Sequence, residues 1–182
     1  MSFRRDPQSS TSAASPKSPA EENLRKIYAR LADGKVEEAM SLASSAGSSD
    51  ARFRNAKAVC LMRLGRYSDA VQVLRQFVLE SGGTWLRRDL PVVYKVNFGL
   101  ALMLDGRTAG ARDVISELRV DPDPAAVRLL QQYAEWKSKL SWWKRWLASV
   151  GYEPAVVFTC AGEIGELPPL PPPPGESPRN AA

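Results

Sequence analysis

Three short segments of this chain share one pattern, and it restricts the fold more than any other feature. They read LADGKVEEA (Leu31–Ala39), MRLGRYSDA (Met62–Ala70) and MLDGRTAGA (Met103–Ala111). In each, a glycine (Gly34, Gly65, Gly106) is followed at once by Lys or Arg, and five residues later by an alanine (Ala39, Ala70, Ala111). An apolar stretch of helical period precedes each glycine and another follows each alanine. Glycine takes the left-handed conformation that ends a helix. A small alanine lets the returning helix approach the first closely. The spacing therefore predicts consecutive helical hairpins, an all-α fold without a sheet.

The pattern resembles the tetratricopeptide repeat. Gly65, Tyr67 and Ala70 stand where that family places a glycine, an aromatic and an alanine, and Ala58 and Gly99 match its small residue seven positions before the turn. Ile27 departs from the small residue, and Val36 and Thr108 from the aromatic. The glycines are 31 residues apart from Gly34 to Gly65 and 41 from Gly65 to Gly106, with ESGGTWLRRDLP filling the longer gap; the family period is about 34. The resemblance spans about residues 19–122 and implies an array of about six helices. It also implies that the first helix of each hairpin lines a concave groove. The groove positions would be Leu24, Tyr28 and Leu31, then Asn55, Val59 and Met62, then Val96, Leu100 and Met103. This set is mostly apolar, and the alternative is that several of its members are core between helices. The Lys and Asn pattern that clamps a terminal carboxylate in chaperone-binding members is absent, since Leu24 and Tyr28 occupy its first positions. The implied function is a non-catalytic interaction module, a scaffold or chaperone-like adaptor holding an apolar peptide segment.

Helix-end signals divide the chain further. Ser18-Pro19-Ala20-Glu21 reads as a capping box, and Asp123-Pro124 opens a later helix. From 124 to 150, Leu129, Tyr133, Trp136, Leu140, Trp143, Leu147 and Val150 fall on one stripe that Trp142 and Trp146 widen. One long amphipathic capping helix, with Trp143 buried on the last hairpin, is expected. The mixture of Trp with Lys137, Lys139, Lys144 and Arg145 also fits a membrane-surface helix, and a dimerising helix is a third reading.

The expected organisation is a disordered tail over 1–17, a helical domain over 18–150, an extended segment over 151–167 and a proline-rich disordered tail over 168–182. The tails hold too little apolar side chain to offset the entropy of ordering. Ala155–Thr159 is apolar and β-prone. Pro168-Pro169-Leu170-Pro171 resembles a WW or SH3 ligand core, or serves as a spacer. The N-terminus lacks an apolar run behind Arg4 and Arg5, and no stretch is long enough to span a bilayer, so a cytoplasmic location is expected.

The chain has no histidine and only two cysteines, Cys60 and Cys160. Imidazole catalysis and the usual zinc ligand sets are therefore missing, and there is no paired carboxylate, phosphate loop or nucleophile motif. Neither an enzyme nor a metal or other cofactor is expected. A Cys60–Cys160 disulfide is the lesser reading; Cys60 reads as a buried small hydrophobe. Net charge is +5, with arginines concentrated between Arg52 and Arg88 and acids at Glu153, Glu163, Glu166 and Glu176. The basic stretch can be a solvated face, or meet an acidic partner, nucleic acid or the chain's own acidic end. A basic pI alone does not make a nucleic-acid binder. The expected partner is a protein or peptide, with the chain's own 152–170 segment competing for the groove.

Overall fold

The computed structural model describes residues 19–46, 49–149, 157–160 and 162–170. Among them are eight helices: α1 Pro19–Ala32, α2 Val36–Ser45, α3 Ala51–Arg63, α4 Tyr67–Val78, α5 Val92–Leu104, α6 Thr108–Leu118, α7 Pro124–Ser138 and α8 Trp142–Ser149. The described residues contain no strand beyond an isolated antiparallel bridge between Leu79 and Leu86. Ser18 of the expected capping box, the 1–17 tail and residues 171–182 lie outside the described residues.

The three repeated glycines end α1, α3 and α5 with φ of +74°, +74° and +80°. Each turn closes with the same pair of backbone bonds. Lys35, Arg66 and Arg107 donate to the carbonyls of Arg30, Leu61 and Leu102, and each glycine N–H donates to the carbonyl three residues back. This satisfies carbonyls that the helix end would leave unpaired. Around Gly65 a Cβ would meet nothing within 4 Å, so the backbone alone demands glycine there. We expect Gly65→Val to cost about 1–3 kcal/mol through a β-branched residue held at positive φ. An unchanged denaturation midpoint would exclude a left-handed turn at this position.

Successive helices from α1 to α7 pack on one another, and α1, α3, α5 and α7 also touch in that order, forming one layer. Ala39, Ala70 and Ala111 are fully buried where the returning helices meet their partners. At Gly99 a Cβ would lie 3.0 Å from Leu129 Cδ2 and 3.2 Å from Val114 Cγ1, so its absence lets α5 sit tightly against α6 and α7. Tyr67 is half-buried at the start of α4. The longer gap before the third hairpin is held by the Leu79–Leu86 bridge, with Leu86 in the core.

The single capping helix expected over 124–150 is instead two helices. α7 ends at Ser138 and α8 starts at Trp142. Leu140 sits in the break, buried, while the Arg145 guanidinium donates to the carbonyls of Leu140 and Ser138. The Lys144 N–H donates to Ser141 Oγ at 3.5 Å, so Ser141 stands at the N-cap position of α8. The stripe divides accordingly. Leu129, Trp136 and Leu140 are buried, but Trp143 is 51% exposed, contrary to the burial expected for it. No described helix is long and apolar enough to cross a membrane.

Candidate functional site

The layer formed by α1, α3, α5 and α7 is covered by residues 162–170, hereafter the strap. Asn97, buried on α5, engages one residue of the strap twice. Its Nδ2 donates to the Glu166 carbonyl (2.7 Å), and its Oδ1 accepts from the Glu166 N–H (2.9 Å). The side-chain amide thus takes the place that a neighbouring strand would fill. Asn55 on α3 completes the arrangement: its Oδ1 accepts from Asn97 Nδ2 (2.8 Å) and its Nδ2 donates to the Glu166 carbonyl (3.3 Å). Two amides that would be costly if buried without partners satisfy each other and the strap backbone.

Charge fixes the strap at that residue and three residues before it. Arg63, its side chain 14% exposed, pairs with Glu163 at 2.6 Å. Its guanidinium also donates to the carbonyls of Ile164 (3.0 Å) and Leu31 (3.2 Å), tying the strap to the end of α1. Arg128 on α7 donates to both oxygens of Glu166, each at 2.7 Å. Between these anchors Gly165 is buried with φ +78°; a Cβ there would stand 3.0 Å from Met62 Cε and from Val59 Cγ2. Ile164, Leu167 and Leu170 pack against the core, and Phe158 is buried within it. The strap therefore runs past 167 to Leu170, three residues into the stretch expected to be a disordered tail. Val157–Cys160 forms no strand; residues 155 and 156 of the β-prone run lie outside the described residues.

Beside the strap lies an open cavity of about 700 Å³. Tyr28, Leu31, Val96 and Leu100 line it together with Asn97, Arg63 and Arg128. The Tyr28 hydroxyl is buried without a hydrogen-bond partner among the described residues, and burial pushes its pKa well above the usual phenol range. That oxygen remains a neutral donor.

Of the nine positions assigned to the groove, Asn55 holds the strap, Val59 and Met62 form the floor beneath Gly165, and Tyr28, Leu31, Val96 and Leu100 border the cavity. Leu24 and Met103 fall in the core. Asn97, Arg63 and Arg128 were not among the nine. Asn97 was signalled only by its polarity within VVYKVNFGLALML. Cys60 and Cys160 form no disulfide with each other; burial pushes the Cys60 thiol up to about 11, and the Cys160 thiol donates to Gln132 Oε1 at 3.5 Å. Comparison with protein-family models, curated proteins and solved structures returns no match.

Proposed function

We propose that this chain is a non-catalytic module that holds an extended peptide segment against its α1–α3–α5–α7 layer, in the manner of a tetratricopeptide-like adaptor. Its own strap occupies that surface as a tethered competitor. The observation that carries this reading is Asn97 pairing with both the N–H and the C=O of Glu166. Such pairing reads an extended backbone, which any partner segment also offers. The neighbouring cavity and the unpartnered Tyr28 hydroxyl leave room and a donor for more than the strap supplies.

A tethered segment competes at an effective concentration of about millimolar. Weakening it raises the competent fraction and with it the apparent affinity. In the Gly165→Val chain we expect nonapeptides, including residues 162–170 supplied in trans, to bind roughly 10- to 100-fold more tightly than in the wild type. Fluorescence anisotropy measures this. Absence of any peptide binding to a Gly165→Val chain that retains its helical circular dichroism would end the reading.

The α8 surface supports a second, separate role at an anionic membrane. Trp142, Trp143 and Trp146 are 76%, 51% and 52% exposed; Trp143 stacks on Trp146 and meets Trp142 edge-on. Lys144 of α8 is exposed, as are Lys137 and Lys139 shortly before it in the chain. Tryptophans of this kind settle at the headgroup level, and each nearby cation adds about 1 kcal/mol on an anionic leaflet. Tryptophan emission should shift to the blue with phosphatidylserine-containing vesicles, weaken with salt, and fail in the triple Trp142→Ala, Trp143→Ala, Trp146→Ala variant. Equal response to zwitterionic vesicles would remove the electrostatic part of this role.

A further inference from the structure

We infer that the groove is selective, and that its partner presents a segment of the pattern acidic–apolar–Gly–acidic–apolar, bent at the glycine, for which Glu163-Ile164-Gly165-Glu166-Leu167 is the built-in template. This rests on the peptide-holding role proposed above and specifies which peptides qualify.

Each position of the pattern has its own physical cause. The first acid meets Arg63, a largely buried guanidinium whose remaining donors are already directed to the carbonyls of Leu31 and Ile164. A neutral residue there leaves that guanidinium short of its counter-charge in a poorly hydrated place. The second acid meets Arg128 in a two-oxygen fork. Arg128 is more exposed than Arg63, but Glu163 is more exposed than Glu166 (73% against 34%), so each pair has one well-hydrated member and both weaken with salt. The glycine between them is required twice. Its φ of +78° disfavours side chains, and its Cα lies so close to Val59 and Met62 that any Cβ would press on both. Val59 is β-branched and cannot swing aside, unlike the end of Met62. Ile164 and Leu167 pack on the core. Asn97 and Asn55 hold the backbone of the second acid and set the register, so the three selective positions cannot slide along the groove independently.

The five positions lie within one short stretch that bends at Gly165, and the arginines stand on two different helices, α3 and α7. The complementarity is therefore a property of the assembled layer. A partner segment that displaces the strap has to reproduce the same spacing. The cavity bounded by Tyr28 and Leu100 is the place where it can gain contacts that the strap lacks.

The test uses the full chain carrying Gly165→Val, which unseats the strap and leaves the groove residues unchanged. The probes are fluorescent nonapeptides of residues 162–170. The unaltered peptide should bind, and the peptide carrying Gly165→Val should bind at least about tenfold more weakly. Glu163→Gln and Glu166→Gln peptides should each lose several-fold, both losses fading at high salt. A chain with Arg128→Glu should bind the Glu166→Arg peptide better than the unaltered one, a reversal that a merely structural arginine would not produce. If the strap-weakened chain binds apolar nonapeptides lacking glycine and acids as well as it binds the template, selectivity is overturned while peptide holding survives. If it binds none, peptide holding itself has failed. A wild-type chain that exchanges straps into a dimer and excludes all added peptide would make the occupant a second copy and overturn assignment to a different partner.

Discussion

Asn97→Leu is expected to lower stability by about 2–4 kcal/mol, a large effect for a change of nearly equal volume. Asn97 is fully buried and takes part in three hydrogen bonds, two to Glu166 and one to Asn55. Leucine removes all three and leaves the buried Asn55 Oδ1 without its donor. An orphaned buried polar group costs about 1–3 kcal/mol on its own. The strap loses its register at the same time, so amide exchange over 162–170 should accelerate. Adding Asn55→Leu should return part of the loss, because two apolar groups facing each other leave nothing unpaired between them. A double-mutant cycle should show coupling of at least about 1 kcal/mol. Strictly additive single changes, with no faster exchange in the strap, would mean that the two amides and the strap are not one network.

That network also marks how far the sequence could be read. The turn glycines were legible because a positive φ leaves its mark on residue type, and the fully buried alanines because close helix approach does the same. Local causes leave local signals. The break between α7 and α8 has such a signal in Ser141, but no glycine or proline accompanies it. The stripe through Leu140 and Trp143 runs across the break without a change of period. Periodicity therefore favoured one helix. The strap pairs Glu166 with residues 69 and 111 positions away, and no local pattern encodes such a distance. The acidic end was recognised as a counterpart to the basic stretch, and Arg63–Glu163 is such a pair. Arg128 lies outside that stretch, and only the packing of α7 against α5 places it near Glu166. The register borrowed from the repeat found Asn55 but stepped over Asn97, one residue beyond Val96. A polar residue inside an apolar helix implies a buried partner, and that was the available sign.

Met62→Asp should have the largest effect of any single change considered for this chain. The repeat register alone treats Met62 and Leu100 as groove contacts, so that Asp at both together would block binding in a protein that stays helical. Both side chains are buried, and Met62 is wholly so beneath Gly165. A carboxylate at such a site keeps its charge only at high cost, and burial typically raises its pKa by about 3–5 units. Only about 3 units separate the unfolded pKa from neutral pH, so at about 1.4 kcal/mol per unit the pH-dependent loss there is roughly 4 kcal/mol, a large part of the stability of a small domain. The pH dependence follows from the direction of that shift. The folded state holds the proton more tightly than the unfolded chain, so stability falls as pH rises from the unfolded pKa to the folded one. Relative to wild type measured alongside, the variant should have little cooperative helical transition at neutral pH and regain much of it near the ordinary carboxylate pKa of about 4. Met62→Leu, a volume-conserving change, should cost less than about 1.5 kcal/mol at either pH. Thermal or urea unfolding followed at 222 nm distinguishes these outcomes. Wild-type stability of Met62→Asp at neutral pH would place this side chain in water, remove the floor under Gly165, and take with it the steric reason for glycine in the bound segment.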